Sequence, residues 1–393
     1  METEINITDP RGTETQMVSD YALESGTQLK SATGTYTVIS KLGAGGFGIT
    51  YKVSFVPDSG GPTTVMALKE HFLKSDCIRD VTTFMVQYSG PASQRYKASL
   101  KDFITEANRL KRLGLQPKNV IKVNEVFEAN GTAYYSMDFL SGGSLATKLK
   151  ELGRPMTEAE MAQSLIPVAD ALEFLHANHV THLDVKPENI MLQQNVDGTE
   201  RPVLIDFGLS KHYNEQGQQT STFNMQGVSE GFSPMEQYLG LTEFSPQTDV
   251  YATAATAYYL LTTRKPPKAS ELNVDKIAYE LKAYKVSRKT ISTLTAALAP
   301  HPKDRTKDMA AFKKGLSHIK DTTSVKPAPP VVEKLKVREE KETDGLQTKW
   351  RIAISAAVIL IAAAVAACIW LIPDGSRADR NYYAEEFTSL TSK

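Results

Sequence analysis

Eight residues in the middle of the chain, His182-Leu183-Asp184-Val185-Lys186-Pro187-Glu188-Asn189, restrict its fold more than any other stretch. An acid, a lysine and an amide stand two and three residues apart, directly after a helical pattern. One tight loop thus offers a proton acceptor, a cation and a metal-ligating oxygen. Downstream, the apolar run Val203-Leu204-Ile205 ends on Asp206-Phe207-Gly208. Upstream lie a glycine-rich stretch from Gly43 and the strand-like Val65-Met66-Ala67-Leu68-Lys69. A fold that uses the loop must bring these segments to one place. Together they offer what moving a phosphoryl group requires: a group to orient a hydroxyl, a charge to neutralise the phosphate and oxygens to hold a metal ion.

Composition narrows the alternatives. Lys plus Arg and Asp plus Glu both number 45, so the formal net charge is zero and a nucleic-acid partner is not expected. The cysteines Cys77 and Cys368 lie in a polar and an apolar stretch, which predicts no structural disulfide and a catalytic part in a reducing compartment. Residues 1–30 are polar with no apolar run, so no secretory signal is expected. The run Ile352 to Ile372 carries no charge and is rich in Ala, Ile, Val and Leu. As a helix it would extend roughly 30 Å, the thickness of a bilayer core, and its all-round apolarity favours a membrane span over a buried core helix. Trp350 and Trp370 sit near its ends. Six Lys or Arg between Lys334 and Arg351 precede it, against Arg377, Arg380 and Lys393 after it, so the N-terminal side is expected in the cytoplasm.

Residues 1–35 read as a flexible arm with room for a short strand. Strand periods begin at Tyr36. Leu42-Gly43-Ala44-Gly45-Gly46-Phe47-Gly48 then separates two strand patterns, the second being Ile49-Thr50-Tyr51-Lys52-Val53. A dinucleotide loop needs a helix after its glycines and an acid some 20 residues on. Here a strand follows and Lys69 stands at that distance, so a hairpin lid over a triphosphate is the better account, with Phe47 at its tip. Lys69, inside a half-buried strand, needs an anion. Glu106, on the helix expected over Ser99 to Leu113, is either that partner or one more solvated helix acid; the lysine strand before it favours the pair. Residues 71–99 form an insertion with a hairpin pattern near Val81 to Tyr88. A further hairpin is expected around Asn130-Gly131. It ends on Met137-Asp138-Phe139-Leu140, whose backbone can meet an adenine edge. Gly142-Gly143 then forms a pivot to a helical half.

Thr157-Glu158-Ala159-Glu160 predicts a capping box, and Leu165, Val168, Ala169, Leu172 and Leu175 follow on one helix face. With all sub-motifs in order, residues 36 to about 318 resemble the eukaryotic-type, or Hanks-type, Ser/Thr protein kinase domain, and the spellings at 46–51 and 231–238 resemble its bacterial branch. The resemblance implies an α+β bilobal fold, with a β-rich lobe over 36–140 and a helical lobe over 141–318. It implies ATP with Mg²⁺ or Mn²⁺. Gly43, Gly45 and Gly48 would form the phosphate loop. Leu42, Ala44, Gly46, Thr50, Ala67, Met137, Asp138 and Leu140 would also face the nucleotide. Lys69 would contact the α/β-phosphates with Glu106 beside it. Asp184 would be the catalytic base and Lys186 the γ-phosphate cation, and Asn189 and Asp206 would hold the metal. His182, Phe207, Gly208, Ser229, Glu236, Asp249 and Arg305 would be structural parts of the site and activation segment, with Arg305 the partner of Glu236 and Asp249 a brace for the catalytic loop.

Leu183 stands where the family carries the arginine that clasps an activation-loop phosphate, which puts loop phosphorylation as a switch in question. Thr220, Ser221 and Thr222 read equally as phosphosites or as a polar loop. Residues 319–350 form a Pro-rich, charged linker, 351–372 the membrane helix, and 373–393 an extracytoplasmic tail too short for a sensor domain. The expectation is therefore a single-pass kinase of the cell (inner) membrane. It would act on Ser/Thr hydroxyls of proteins, touch lipid through 352–372 and have scope for a homodimer in autophosphorylation. The rivals are a nucleotide-binding pseudokinase scaffold and a small-molecule phosphotransferase.

Overall fold

The computed structural model describes residues 21–46, 48–113, 117–207, 211–212, 227–239 and 245–319. Phe47, Gly208, Thr220, Ser221, Thr222, most of the N-terminal arm, the linker, the apolar run 352–372 and the tail lie outside the described residues. Among the described residues no helix is long and apolar enough to cross a membrane.

The first half is built from strands β1 (Gln28–Lys30), β2 (Gly34–Gly45), β3 (Gly48–Pro57) and β4 (Thr64–Glu70), a small hairpin of β5 (Ile78–Arg79) and β6 (Val86–Gln87), and then β7 (Val123–Ala129) and β8 (Thr132–Asp138). Six of these make one antiparallel sheet in the order β1-β2-β3-β4-β8-β7. Period-2 alternation sends Tyr36, Val38, Tyr51, Val53, Leu68 and Tyr134 into one buried cluster. The Asn130-Gly131 turn forms as expected, with φ of 51° and 71°, the left-handed pair that a two-residue hairpin demands.

Helix α1 spans Pro91–Arg112, so it starts well before the expected Ser99. Proline at its first turn suits a helix start, and Gly90 before it takes a φ of 59°. Its early turns lack apolar periodicity in sequence. They are held by tertiary contacts instead: the Tyr96 hydroxyl donates to Thr132 Oγ1 at 2.9 Å, and Ser99 Oγ lies 2.8 Å from His71 Nε2.

The insertion is therefore the shorter segment 71–90, and it is stapled to the sheet. Arg79 donates to Glu70 Oε2 at 2.6 Å, to the Phe84 carbonyl at 2.9 Å and to the Tyr21 carbonyl at 2.8 Å. The hydroxyls of Tyr51 and Tyr134 also donate to the Glu70 carboxylate. A fully buried acid directly after Lys69 is thus matched by a cation and two hydroxyls, as burial of charge requires.

His71 supplies a pH signature. It is 1% exposed, and burial pushes its imidazole down to about 4 from the ordinary 6.5. Between those values the unfolded chain takes up a proton that the folded chain refuses. The His71 contribution to stability is therefore complete above pH 6.5 and is lost as pH drops toward 4, by about 3 kcal/mol in full. Urea unfolding of wild type and His71→Gln across that range should show the slope in the first and a flatter line in the second. Equal slopes would remove His71 as its source.

The second half is helical: α2 (Leu145–Leu152), α3 (Glu158–Ala177), α4 (Met235–Tyr238), α5 (Pro246–Thr262), α6 (Val274–Ala283), α7 (Arg288–Ala297) and α8 (Met309–Leu316), with short pairs β9 (Val180–Thr181), β10 (Ile190–Gln194), β11 (Glu200–Leu204) and β12 (Lys211–His212). The capping box is present: Glu160 N–H donates to Thr157 Oγ1 at 3.2 Å and Thr157 N–H to Glu160 Oε2 at 2.8 Å. Helix α5 is rich in Ala, Thr, Tyr and Leu, is buried along nearly its whole length, and carries one buried acid, Asp249, toward the loop. It is the post against which the 182–189 loop is fixed.

Candidate active site

A cleft of about 670 Å³ is lined by the end of β2, the start of β3, the β4 strand, the chain leaving β8, and residues from the 187–206 stretch of the helical half. Of the residues expected at a nucleotide, Leu42, Gly43, Ala44, Gly45, Gly48, Thr50, Ala67, Lys69, Met137, Asp138 and Leu140 line it, with Asn189 and Asp206 at its inner end. The register explains the grouping. Ala67 and Lys69 share a face of β4 by period 2, opposite Met137 and Tyr135 of β8.

Two glycines have clear spatial reasons. A Cβ on Gly48 would stand 2.1 Å from the Glu70 carbonyl oxygen, and one on Gly142 would stand 2.6 Å from that of Leu192. At Gly43, Gly45 and Gly46 a Cβ would meet nothing within 4 Å. Packing does not demand glycine there, and the backbone of the loop stays open to the cleft.

At the inner end the charged groups converge. Lys186 Nζ donates to both Asp184 carboxylate oxygens, at 3.0 and 2.9 Å, and to Ser229 Oγ at 2.8 Å. The Ser229 hydroxyl donates to Asp184 Oδ1 at 2.6 Å. Asn189 Nδ2 donates at 2.8 Å to the Asp184 backbone carbonyl and at 2.8 Å to its Oδ2. The Asn189 amide is thereby oriented by its nitrogen, which leaves Oδ1 as its remaining ligand atom.

Lys69 departs from expectation. Its ammonium forms an ion pair with Asp206, in place of the expected Glu106. Glu106 lies half-buried on α1 and does not line the cleft. A buried ammonium takes the carboxylate delivered closest to it. Asp206, at the end of the β11 hairpin with a left-handed φ of 63°, is that group. Burial works against the charge of Lys69, but Asp206, helped by Tyr135 and Asp184, raises its pKa above that of an ordinary lysine.

The loop itself is held from behind by Asp249 of α5. One carboxylate oxygen accepts the Leu183 N–H at 2.8 Å. The other accepts the His182 N–H at 2.9 Å and lies 2.8 Å from His176 Nε2. Burial opposes the charge on Asp249, yet His176 and these contacts keep its carboxyl below the usual range. His182 accepts the Asp184 N–H through Nδ1 at 3.3 Å, so its other nitrogen carries the proton and donates to the Ile205 carbonyl at 2.9 Å. Its ring meets Phe207 edge-on at 4.8 Å. Glu236 and Arg305 form a buried two-pronged pair at 2.6 and 2.9 Å.

Sequence reasoning missed several contributors. Met191, Ile121 and Ile205 supply apolar cleft wall, and Glu188 lies at its rim. Met191 was legible in principle: its neighbours Ile190 and Leu192 are buried, so alternation turns it to the opposite face. Gln237 Nε2 donates to the Leu183 carbonyl at 2.8 Å; the 231–238 spelling includes this residue but assigns it no role.

A family model described as protein kinase domain matches residues 36–322. "Serine/threonine-protein kinase PknA" of Nostoc sp. is 30% identical over 276 residues, 69% of this chain and 44% of that protein. "Serine/threonine-protein kinase Pkn1" of Myxococcus xanthus is 26% identical over 340 residues, 82% of this chain and 44% of that protein. The chain thus spans less than half the length of these relatives. Among solved structures, the "PpkA-294 apo form" is 25% identical with a TM-score of 0.59, over 76% of this chain and 100% of its own. The Mycobacterium tuberculosis PknI kinase domain, 23% identical, has a TM-score of 0.53 over 76% of this chain and 100% of its own, a likeness of fold.

Proposed function

The chain belongs to the protein kinase family, and from that premise we propose that it transfers the γ-phosphoryl group of ATP to serine and threonine hydroxyls of proteins while anchored in a membrane by residues 352–372. The observation that carries this reading is the convergence of Asp184, Lys186, Asn189 and Ser229 beside the Lys69–Asp206 pair at one end of the cleft.

Asp184 is 8% exposed and already accepts a serine hydroxyl at 2.6 Å, which is the geometry a base needs toward an incoming hydroxyl. Lys186 neutralises charge at that same point. Lys69 lines the cleft between the glycine loop and Asp206, where a cation meets phosphate oxygens. The Asn189 amide oxygen and the Asp206 carboxylate are hard oxygen donors that would hold Mg²⁺ or Mn²⁺. Such an ion, when bound, offsets charge on the β- and γ-phosphates. Met191, Ile121 and Ala67 provide apolar surface for a flat base.

The uncharged run 352–372, with its basic excess on the N-terminal side, supports a single-pass anchor with the kinase domain in the cytoplasm. Full-length chain incubated with labelled ATP and Mg²⁺ should place label on protein serine or threonine. Nucleotide binding without label would favour a scaffold, and label only on an added metabolite would favour a small-molecule phosphotransferase. A reporter enzyme active only outside the cytoplasm should work when fused after Lys393; activity only when it is fused before Met1 would invert the topology.

A further inference from the structure

We propose that Gln237 is a positioning residue for phosphoryl transfer: its side-chain amide holds the strained peptide that aims Asp184. The proposal rests on the reading of the cleft as a kinase site.

Leu183 has a φ of 64°, a left-handed conformation that leucine keeps only where its surroundings over-determine it. Both polar groups of its backbone are gripped by side chains. Its N–H donates to Asp249 Oδ1 at 2.8 Å, and its carbonyl accepts Gln237 Nε2 at 2.8 Å. The two grips come from different helices, α5 and α4. The next residue along the chain is Asp184.

Gln237 is 7% exposed, and its Oε1 finds no donor among the described residues. Reversing the amide would set that oxygen against the Leu183 carbonyl, acceptor facing acceptor. A position serving packing alone favours an apolar side chain of the same length, because an unmatched buried acceptor is unfavourable. The N–H is therefore the working part of this side chain. The four-residue helix α4 can hold it still because the adjacent Glu236 is bound at both oxygens by Arg305. Leu183 itself is buried and brings no cation to the loop, so the neutral amide of Gln237 and the carboxylate of Asp249 set its pose. Loss of the amide donor frees the Leu183 carbonyl, lets the turn relax and moves the Asp184 carboxylate off Ser229 and Lys186.

The test uses full-length wild type, Gln237→Met and Gln237→Glu, with protein phosphorylation, ATP affinity and melting temperature measured on each. Gln237→Met keeps length and removes the donor. Its kcat should fall about 10- to 100-fold while KM for ATP stays within about two-fold and melting shifts little. In Gln237→Glu the introduced carboxyl can donate to the Leu183 carbonyl only when protonated, and burial raises its pKa. Its kcat should recover as pH falls from about 8 to about 6, a dependence absent from Gln237→Met. A structural filler would not give that recovery. An active wild type with Gln237→Met unimpaired overturns the assignment alone. So does a Gln237→Met loss in which ATP affinity and melting fall in step, with no pH recovery in Gln237→Glu. A wild type that labels no protein overturns the functional reading, and this assignment with it.

Discussion

Asp184→Asn is expected to cut protein phosphorylation by roughly 10²- to 10⁴-fold, with ATP affinity close to wild type. The substitution is nearly isosteric. An amide oxygen at that position can still accept the Ser229 hydroxyl that now lies 2.6 Å from Asp184 Oδ1. It cannot take a proton from an attacking hydroxyl at neutral pH, and it removes the counter-charge that Lys186 holds at 2.9 Å. Asp184 does not line the cleft wall from Leu42 to Leu140, and the Lys69–Asp206 ion pair is made without its atoms, so nucleotide binding should survive. Single-turnover transfer to a protein acceptor, beside a nucleotide-binding titration and a melting curve, checks all three statements. A variant that keeps its rate within about ten-fold of wild type would remove Asp184 as the base.

Arg305→Met is expected to destabilise the helical half by about 3–5 kcal/mol, the usual result of stripping one partner from a buried ion pair. The Arg305 side chain is fully buried. It serves both oxygens of Glu236 and donates to the carbonyls of Ala299 and Pro300, each at 2.7 Å, while its guanidinium lies 5.0 Å from the Tyr251 ring centre. Methionine fills the stem volume but leaves the Glu236 carboxylate, 4% exposed, without its cation. Thermal unfolding should show a midpoint lower by about 10 °C. The double variant Glu236→Met with Arg305→Met should recover part of the loss, because the unmatched charge is gone. Failure of the single variant to shift the midpoint would mean that water reaches Glu236 and that the pair is not a true interior contact.

The parts of the fold that rest on local rules were legible from the chain. Asn130-Gly131 makes its turn because both residues tolerate positive φ. Thr157 and Glu160 cap α3 because each satisfies the other's backbone donor. Lys69 falls in the cleft because strand alternation leaves it no other face. Elements whose stability comes from distant partners were misread. The first turns of α1 carry no apolar period, and partners from other segments, Thr132, His71, Asp76 and Tyr88, hold them in place. The polar, turn-rich segment after Lys69 gave no hint that Arg79 would be buried against Glu70.

The candidate site divides in the same way. Residue types at fixed spacings named Asp184, Lys186, Asn189 and Asp206, since an acid, a cation and oxygen donors for one reaction must be close in space and a short loop guarantees it for three of them. Which carboxylate Lys69 takes, and what holds the Leu183 carbonyl, depend on side chains 137 and 54 residues away along the chain. Sequence by itself determined the set of chemical groups and the alternation that faces them inward. Tertiary structure alone decided their pairing, because a buried charge or carbonyl is satisfied by whichever partner the folded chain brings within hydrogen-bond reach, and that distance is written in no local pattern.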